Sequence, residues 1–188
     1  KTIFPQGGVY NSAGEHTSTN GAIVVVARTK TTVTPQRTVT YNALGQAVVN
    51  QDVAGNYTYK VYDVLGRVQY DIDAEHYLTA YTYDSFGNQT QTIRYATALN
   101  FAFTRSTAFS ASEVQGLITA SASDRSLTSS YDLLNRVTQV VEPATYSYDP
   151  DAPVGQQYFT AGKTTQNTYN AFGQLIKQSV LKNPLTNT

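Results

Sequence analysis

A chain of 188 residues with 13 basic and 13 acidic side chains, and no run of like charge, lacks the electrostatic footprint of a nucleic-acid or anionic-membrane binder. The absence of cysteine excludes disulfides and thiolate zinc sites and leaves the redox compartment open. Threonine (27) and tyrosine (15) are residue types that suit a pleated, half-buried surface and lose rotamer freedom in a helix, so the expected fold class is all-β.

Residues 1–36 read as a diverged β segment, with "GGVYNSAGEHTSTNGA" as a loop. Its apolar run "AIVVV" at 22–26 is far short of the roughly 20 residues a membrane helix requires. No signal peptide is recognisable after Lys1, and the chain has no methionine, which predicts a piece of a longer protein.

Residues 37–95 are the most regular part. The hexamers "YNALGQ" (41–46), "YDVLGR" (62–67) and "YDSFGN" (83–88) start 21 residues apart, and "YDLLNR" (131–136) and "YNAFGQ" (169–174) follow after gaps of 48 and 38. A constant period marks stacked supersecondary units, and the longer gaps mark inserted material. The expected structural turn residues are Tyr41, Gly45, Tyr62, Asp63, Gly66, Tyr83, Asp84, Gly87, Tyr131, Asp132, Asn135, Tyr169 and Gly173. Asp or Asn opens a type I turn, and glycine at positive φ closes a three-residue hairpin loop with a bulge. Asn135 stands in the glycine place of the fourth copy, and asparagine is the non-glycine residue that visits positive φ at least cost.

The fourth place of the hexamer holds Leu44, Leu65, Phe86, Leu134 and Phe172, which are expected to fold back beside the motif tyrosine of an adjacent repeat. The sixth place varies between arginine, glutamine and asparagine, so no charge there is essential to the turn. A period of 21 accommodates two strands and two turns, the second turn being "IDAEH" in the best-defined repeat. Lys60, Tyr81, Ser129 and Asn167 share a face with the tyrosine two residues on, so neither face reads as cleanly apolar, and a sheet wetted, at least in patches, on both sides is expected.

Residues 96–130 form an insertion. Ser110 and Glu113 stand at capping-box spacing before Val114, Leu117 and Ile118, which predicts one short helix packed on the sheet. Residues 131–188 return to hairpin repeats, interrupted by "VEPATYSYDPDAPVGQQYF" (141–159), which with three prolines reads as a long loop.

Candidate chemistry is thin. "AGKTT" (161–165) echoes a phosphate-binding loop, but Gln157 stands where that loop needs its first glycine and a strand pattern follows instead of a helix. "DIDAEH" gathers Asp71, Asp73, Glu75 and His76 without the glycine and terminal glutamate of a calcium loop, and reads as a solvated turn. His16 and His76 are the only histidines and have no cysteine to join in a zinc site. No catalytic, metal or cofactor site is expected.

The tandem Y-D-x-x-G-R hexamers, the period and the extra tyrosines before the motif (Tyr59, Tyr81) resemble the YD repeats of the Rhs family, which includes bacterial polymorphic toxins, the B and C components of Tc toxins, and teneurins. The resemblance covers residues 37–95 well and the later hexamers less closely. It implies a strip of a β-sheet spiral that winds into a hollow shell, with the remaining repeats and an enclosed toxic C-terminal domain as partners, in a secreted or surface-exposed bacterial protein. The family's autoproteolytic D-P-x-G core is absent, because "YDPDAPVG" (148–155) lacks its glycine spacing. The alternative is a cell-surface adhesion module that binds a glycan or protein receptor, with the tyrosines as stacking platforms.

Overall fold

The computed structural model describes the backbone at 2–3, 7–10, 18–19, 22–23, 30–33 and 35–184, apart from 103, 104, 149 and 152. Its strands are β1 (Thr2–Ile3), β2 (Gly7–Tyr10), β3 (Ser18–Thr19), β4 (Ala22–Ile23), β5 (Lys30–Val33), β6 (Gln36–Tyr41), β7 (Ala47–Gln51), β8 (Tyr57–Tyr62), β9 (Val68–Ile72), β10 (Leu78–Tyr83) and β11 (Gln89–Arg94). After helix α1 (Ala111–Leu117) come β12 (Arg125–Tyr131), β13 (Val137–Val141), β14 (Thr145–Tyr148), β15 (Tyr158–Tyr169) and β16 (Leu175–Pro184). Much of the loop expected at 7–22 lies outside the described residues, as does His16.

An open sheet of 12 strands runs β1-β6-β7-β8-β9-β10-β11-β12-β13-β15-β14, with β16 paired to β15. All its pairings are antiparallel, and from β6 to β13 each strand pairs with its neighbour in sequence. This is the hairpin strip expected of the repeat: each 21-residue period adds two strands and advances the sheet by about 10 Å.

The sheet is wetted in patches and covered elsewhere. Val49, Tyr59, Val61, Tyr70, Ile72 and Leu78 lie in cross-strand register on one face of β7 to β10 and are buried with Leu99, Phe109 and Val114 of the insertion. The apolar parity is that of Val61 and Tyr59, one and three residues before the motif tyrosine. Lys60, two before it, belongs to the opposite face and pairs with Asp71. From β11 onward the core face carries Gln91, Ile93, Ser126 and Thr128 and none of these is buried, so a single cap covers only part of the strip.

The cap is built as the sequence predicts. Ser110 is the N-cap of α1: its side chain accepts from the Glu113 amide, and the Glu113 carboxylate accepts from the Ser110 amide at 2.8 Å. Val114 is fully buried, while Leu117 and Ile118 pack at the margin of the core. Arg105 fastens the segment: its guanidinium lies 3.7 Å from the Phe109 ring centroid and pairs with Glu113 at 3.0 Å, and its carbonyl accepts from the Tyr59 hydroxyl at 2.6 Å.

The long loop expected at 141–159 is instead a further hairpin. β14 pairs with β15 from Thr145↔Ala161 to Tyr148↔Tyr158, continuing the edge that β13 begins. Pro143 interrupts the ladder without ending it, because the Glu142 amide still donates to the Lys163 carbonyl at 2.8 Å. The crossing is tight at Gly162, where an added Cβ would stand 3.2 Å from the Glu142 carbonyl oxygen.

Candidate functional site

The recurrent turn is one structure made seven times among the described residues, at Asn42, Asp52, Asp63, Asp73, Asp84, Asp132 and Asn170. At Asp63, the side-chain oxygen accepts from the amides of Leu65 and Arg67, both at 2.9 Å. Its carbonyl accepts from the Gly66 amide at 3.0 Å, and its amide donates to the Arg67 carbonyl at 2.8 Å. Gly66 closes the loop at φ 80°, and Asn135 takes the same role at φ 60°. Gly45, Gly87 and Gly173 also have positive φ.

Two of the turns, at Asp52 and Asp73, join successive hairpins and have Gln51 and Ile72 in place of the leading tyrosine. Their signal was present in the sequence as "QDVAGN" and "IDAEHY", with the same acidic residue and Gly55 or His76 three places later. Without the flanking tyrosine the match to the hexamer is lost. "IDAEH" is a hairpin turn as expected, but His76 is not solvated: it is 3% exposed and stacks 3.7 Å from the Phe101 centroid.

Tyrosine marks a second device. Beside each motif tyrosine the strand register shifts by one residue, at Tyr41, Tyr62, Tyr83, Tyr131 and Tyr169, a bulge that the Asp52 and Asp73 hairpins do not have. Neighbouring hairpins therefore splay near their tips. The β7–β8 ladder ends at Val49↔Tyr59, and the Tyr62 hydroxyl reaches past that end to the Ala47 carbonyl at 3.0 Å. Tyr83 does the same to Val68 at 2.8 Å, Tyr131 to Gln89 at 3.1 Å and Tyr169 to Val137 at 2.9 Å. The hydroxyl satisfies a carbonyl that the sheet no longer pairs, and the ring fills the opening.

The sixth residue is the third component. Arg67 pairs with Asp63 at 2.7 Å, and Arg136 pairs with Asp132 at 2.7 Å. The Asn88 side-chain amide likewise donates to Asp84, whereas the Gln46 and Gln174 side-chain oxygens accept from the amides of Asn42 and Asn170, so charge is replaceable there although a hydrogen bond recurs. From this place the side chain also reaches the next repeat. Gln46 Nε2 donates to the Gly66 carbonyl at 3.1 Å, Arg67 Nη1 to the Asp84 carbonyl at 3.1 Å, and Asn88 Nδ2 to Asn135 Oδ1 at 2.8 Å. Arg67 lies 4.5 Å from the Tyr83 centroid and Arg136 lies 4.6 Å from that of Tyr169. The step from Asn88 to Asn135 bridges the whole insertion, which leaves and rejoins the strip without breaking its stacking.

Electrostatics follow these contacts. Burial raises the Asp63 carboxyl, but the Arg67 and Leu65 amides and the Arg67 guanidinium outweigh it and hold the group below the usual carboxylate range. Asp84 is lowered chiefly by the Asn88 side-chain amide, and Asp132 chiefly by the Arg136 backbone amide. Burial raises Tyr83.

The fourth-place residues do not fold back onto the tyrosines. Leu44, Leu65, Phe86, Leu134 and Phe172 are 67–90% exposed at the hairpin tips. The place beside the ring is taken by the sixth residue, which a mixed apolar and polar hexamer does not reveal.

"AGKTT" lies inside the extended strand β15. Among the described residues, no three His, Cys, Asp or Glu side chains gather as a metal would require, and no helix is long and apolar enough to cross a membrane.

No family model and no curated relative matches the chain. It is similar to a chain of the crystal structure of TcdB2-TccC3-Cdc42, at 15% identity and a TM-score of 0.49 over 85% of this chain and 7% of that one. It is also similar to TcdB2-TccC3-TEV, at 16% identity and a TM-score of 0.22 over 79% of this chain and 9% of that one. For TcdB2-TccC3 the identity is 14% and the TM-score 0.25, over 79% of this chain and 10% of that one. The chain thus spans a tenth or less of the length of each of these structures.

Proposed function

We propose that this chain is a non-catalytic wall segment of a secreted YD-repeat shell of the Rhs or Tc-toxin kind, which encloses a toxic C-terminal domain until delivery. The observation that carries the reading is the link from each hairpin to the next. The hydroxyl bond, the sixth-residue bond and the bulge recur at the same places, so the unit adds strands in one direction and meets the next copy with a matching edge. Such a unit is suited to building surface area. The remaining repeats of the parent and its enclosed domain are then its partners.

Limited proteolysis of the parent protein tests this. A C-terminal domain that resists protease in the intact protein, and becomes digestible when Gly66 and Gly87 are both replaced by valine, supports enclosure. Digestion at the rate of the isolated domain would refute it.

A second reading, an outward-facing adhesion module for a glycan or protein receptor, is favoured by one feature. Tyr146, Tyr148 and Tyr158 are 54–72% exposed, and the rings of Tyr146 and Tyr158 stack with centroids 5.5 Å apart. Labelled chain that binds cells and loses binding in the Tyr146→Ser, Tyr158→Ser double variant would select that reading.

A further inference from the structure

At the sheet edge opposite the motif tips, a cleft of about 300 Å³ is lined by Glu75, Tyr77, Arg94, Tyr95, Ala96, Ser123 and Arg125. Arg94 and Arg125 are direct cross-strand partners on β11 and β12. Like charges opposite each other in a sheet are destabilising, and nothing in the strip explains this pair as a structural contact.

Arg94 has one acid, Asp73, at 3.4 Å. That pairing follows from the turn: Asp73 has Tyr77 in the sixth place, where other turns offer an amide or a guanidinium, so its outer oxygen turns to β11. Among the described residues, Arg125 has no acidic partner and the side-chain polar groups of Glu75, Tyr77, Tyr95 and Ser123 make no hydrogen bond, although all line the same cleft. The floor is firm, because Asp124 accepts from the amides of Ala96 and Ser121, both at 2.8 Å, and so fixes the start of β12 against the end of β11.

We propose that this cleft binds an acidic saccharide. A carboxylate set between Arg94 and Arg125 relieves their repulsion and accepts charge-assisted hydrogen bonds. Glu75 and the Ser123 hydroxyl serve the ligand's hydroxyl groups, and the Tyr77 ring gives its apolar face a surface. Glu75 also argues against an anion without hydroxyl groups, since a second negative charge in so small a space needs a donor between it and the carboxylate. The inference is independent of whether the chain lines a shell or faces outward.

Titration of the full chain with sodium D-glucuronate, followed by amide NMR shifts, tests it, with methyl β-D-glucoside and sodium acetate as controls. Saturable shifts at Arg94, Ala96 and Arg125 are expected with glucuronate, and neither control should reproduce them. Arg125→Gln should weaken binding by about tenfold or more while the melting temperature is kept or raised, because the like-charge pair is gone. Glu75→Gln should weaken glucuronate and strengthen acetate. Equal saturation by acetate, saturation by the neutral glucoside alone, no saturable shift, or unchanged affinity in folded Arg125→Gln would each overturn the proposal.

Discussion

At the scale of the residue, the strip depends on positive φ and on a phenolic hydroxyl. Gly45 and Gly66 occupy the same place in the turn, yet a Cβ at Gly45 meets nothing within 4 Å, whereas one at Gly66 would stand 2.9 Å from Gln46 Nε2. Gly45→Ala is therefore expected to cost the conformational term alone, about 1–2 kcal/mol. Gly66→Ala should cost about 1 kcal/mol more, because Gln46 must also give up its bond to the Gly66 carbonyl. Urea unfolding of the two variants side by side measures the difference, and equal midpoints would refute the link between repeats. Tyr83→Phe keeps the ring under Arg67 but leaves the Val68 carbonyl without its donor, for an expected loss of about 1 kcal/mol. The glycine and asparagine roles were legible in the sequence, since backbone conformation is a local property. The hydroxyl's partner was not, because it lies 15 residues away on a neighbouring hairpin and is a backbone atom that any sequence supplies.

At the scale of the element, the cap over β7 to β10 responds to pH through Glu113 and His76. The Glu113 carboxyl is lowered from 4.5 to about 2, first by the Ser110 amide, then by the Ser110 hydroxyl and by Arg105. Its folded value lies below its unfolded one, so its contribution is complete above about pH 4.5 and is lost as the pH falls towards 2. His76 is lowered by burial against the opposing effects of Leu99 and Asp73, so the neutral ring contributes fully above pH 6.5 and its contribution declines as the pH falls below that. Two acid steps are thus expected in the near-ultraviolet signal of Tyr59, Phe101 and Phe109. Glu113→Gln should remove the lower step and leave the upper one. A single step shared by both proteins would contradict this account. The helix and its cap were legible from Ser110 and Glu113; that it lies over β9 was not, because tyrosines on the other face, such as Tyr62, blur the apolar alternation of the strands.

At the scale of the whole molecule, the strip is open at both ends, and its tips form a row of exposed apolar side chains, with Leu65 and Leu134 68% and 69% exposed. Unpaired edges and apolar rows of this kind favour association between chains. Leu65→Lys with Leu134→Lys should change folding free energy by less than about 0.5 kcal/mol per site and shift the sedimentation profile towards monomer. An unchanged profile from a chain that associates would show that the edges, and not the tips, drive the contact.

The sequence by itself determined the turn, its repetition, the antiparallel hairpins and the short capped helix, since each is set by residues within a few places of one another. Only the tertiary structure decided which face is covered, where the tyrosine hydroxyls end, and that Arg94 stands opposite Arg125 across an insertion of 30 residues. Those outcomes depend on strand register and on which distant segment arrives at a given face, and register is a property of the assembled sheet that no single strand contains.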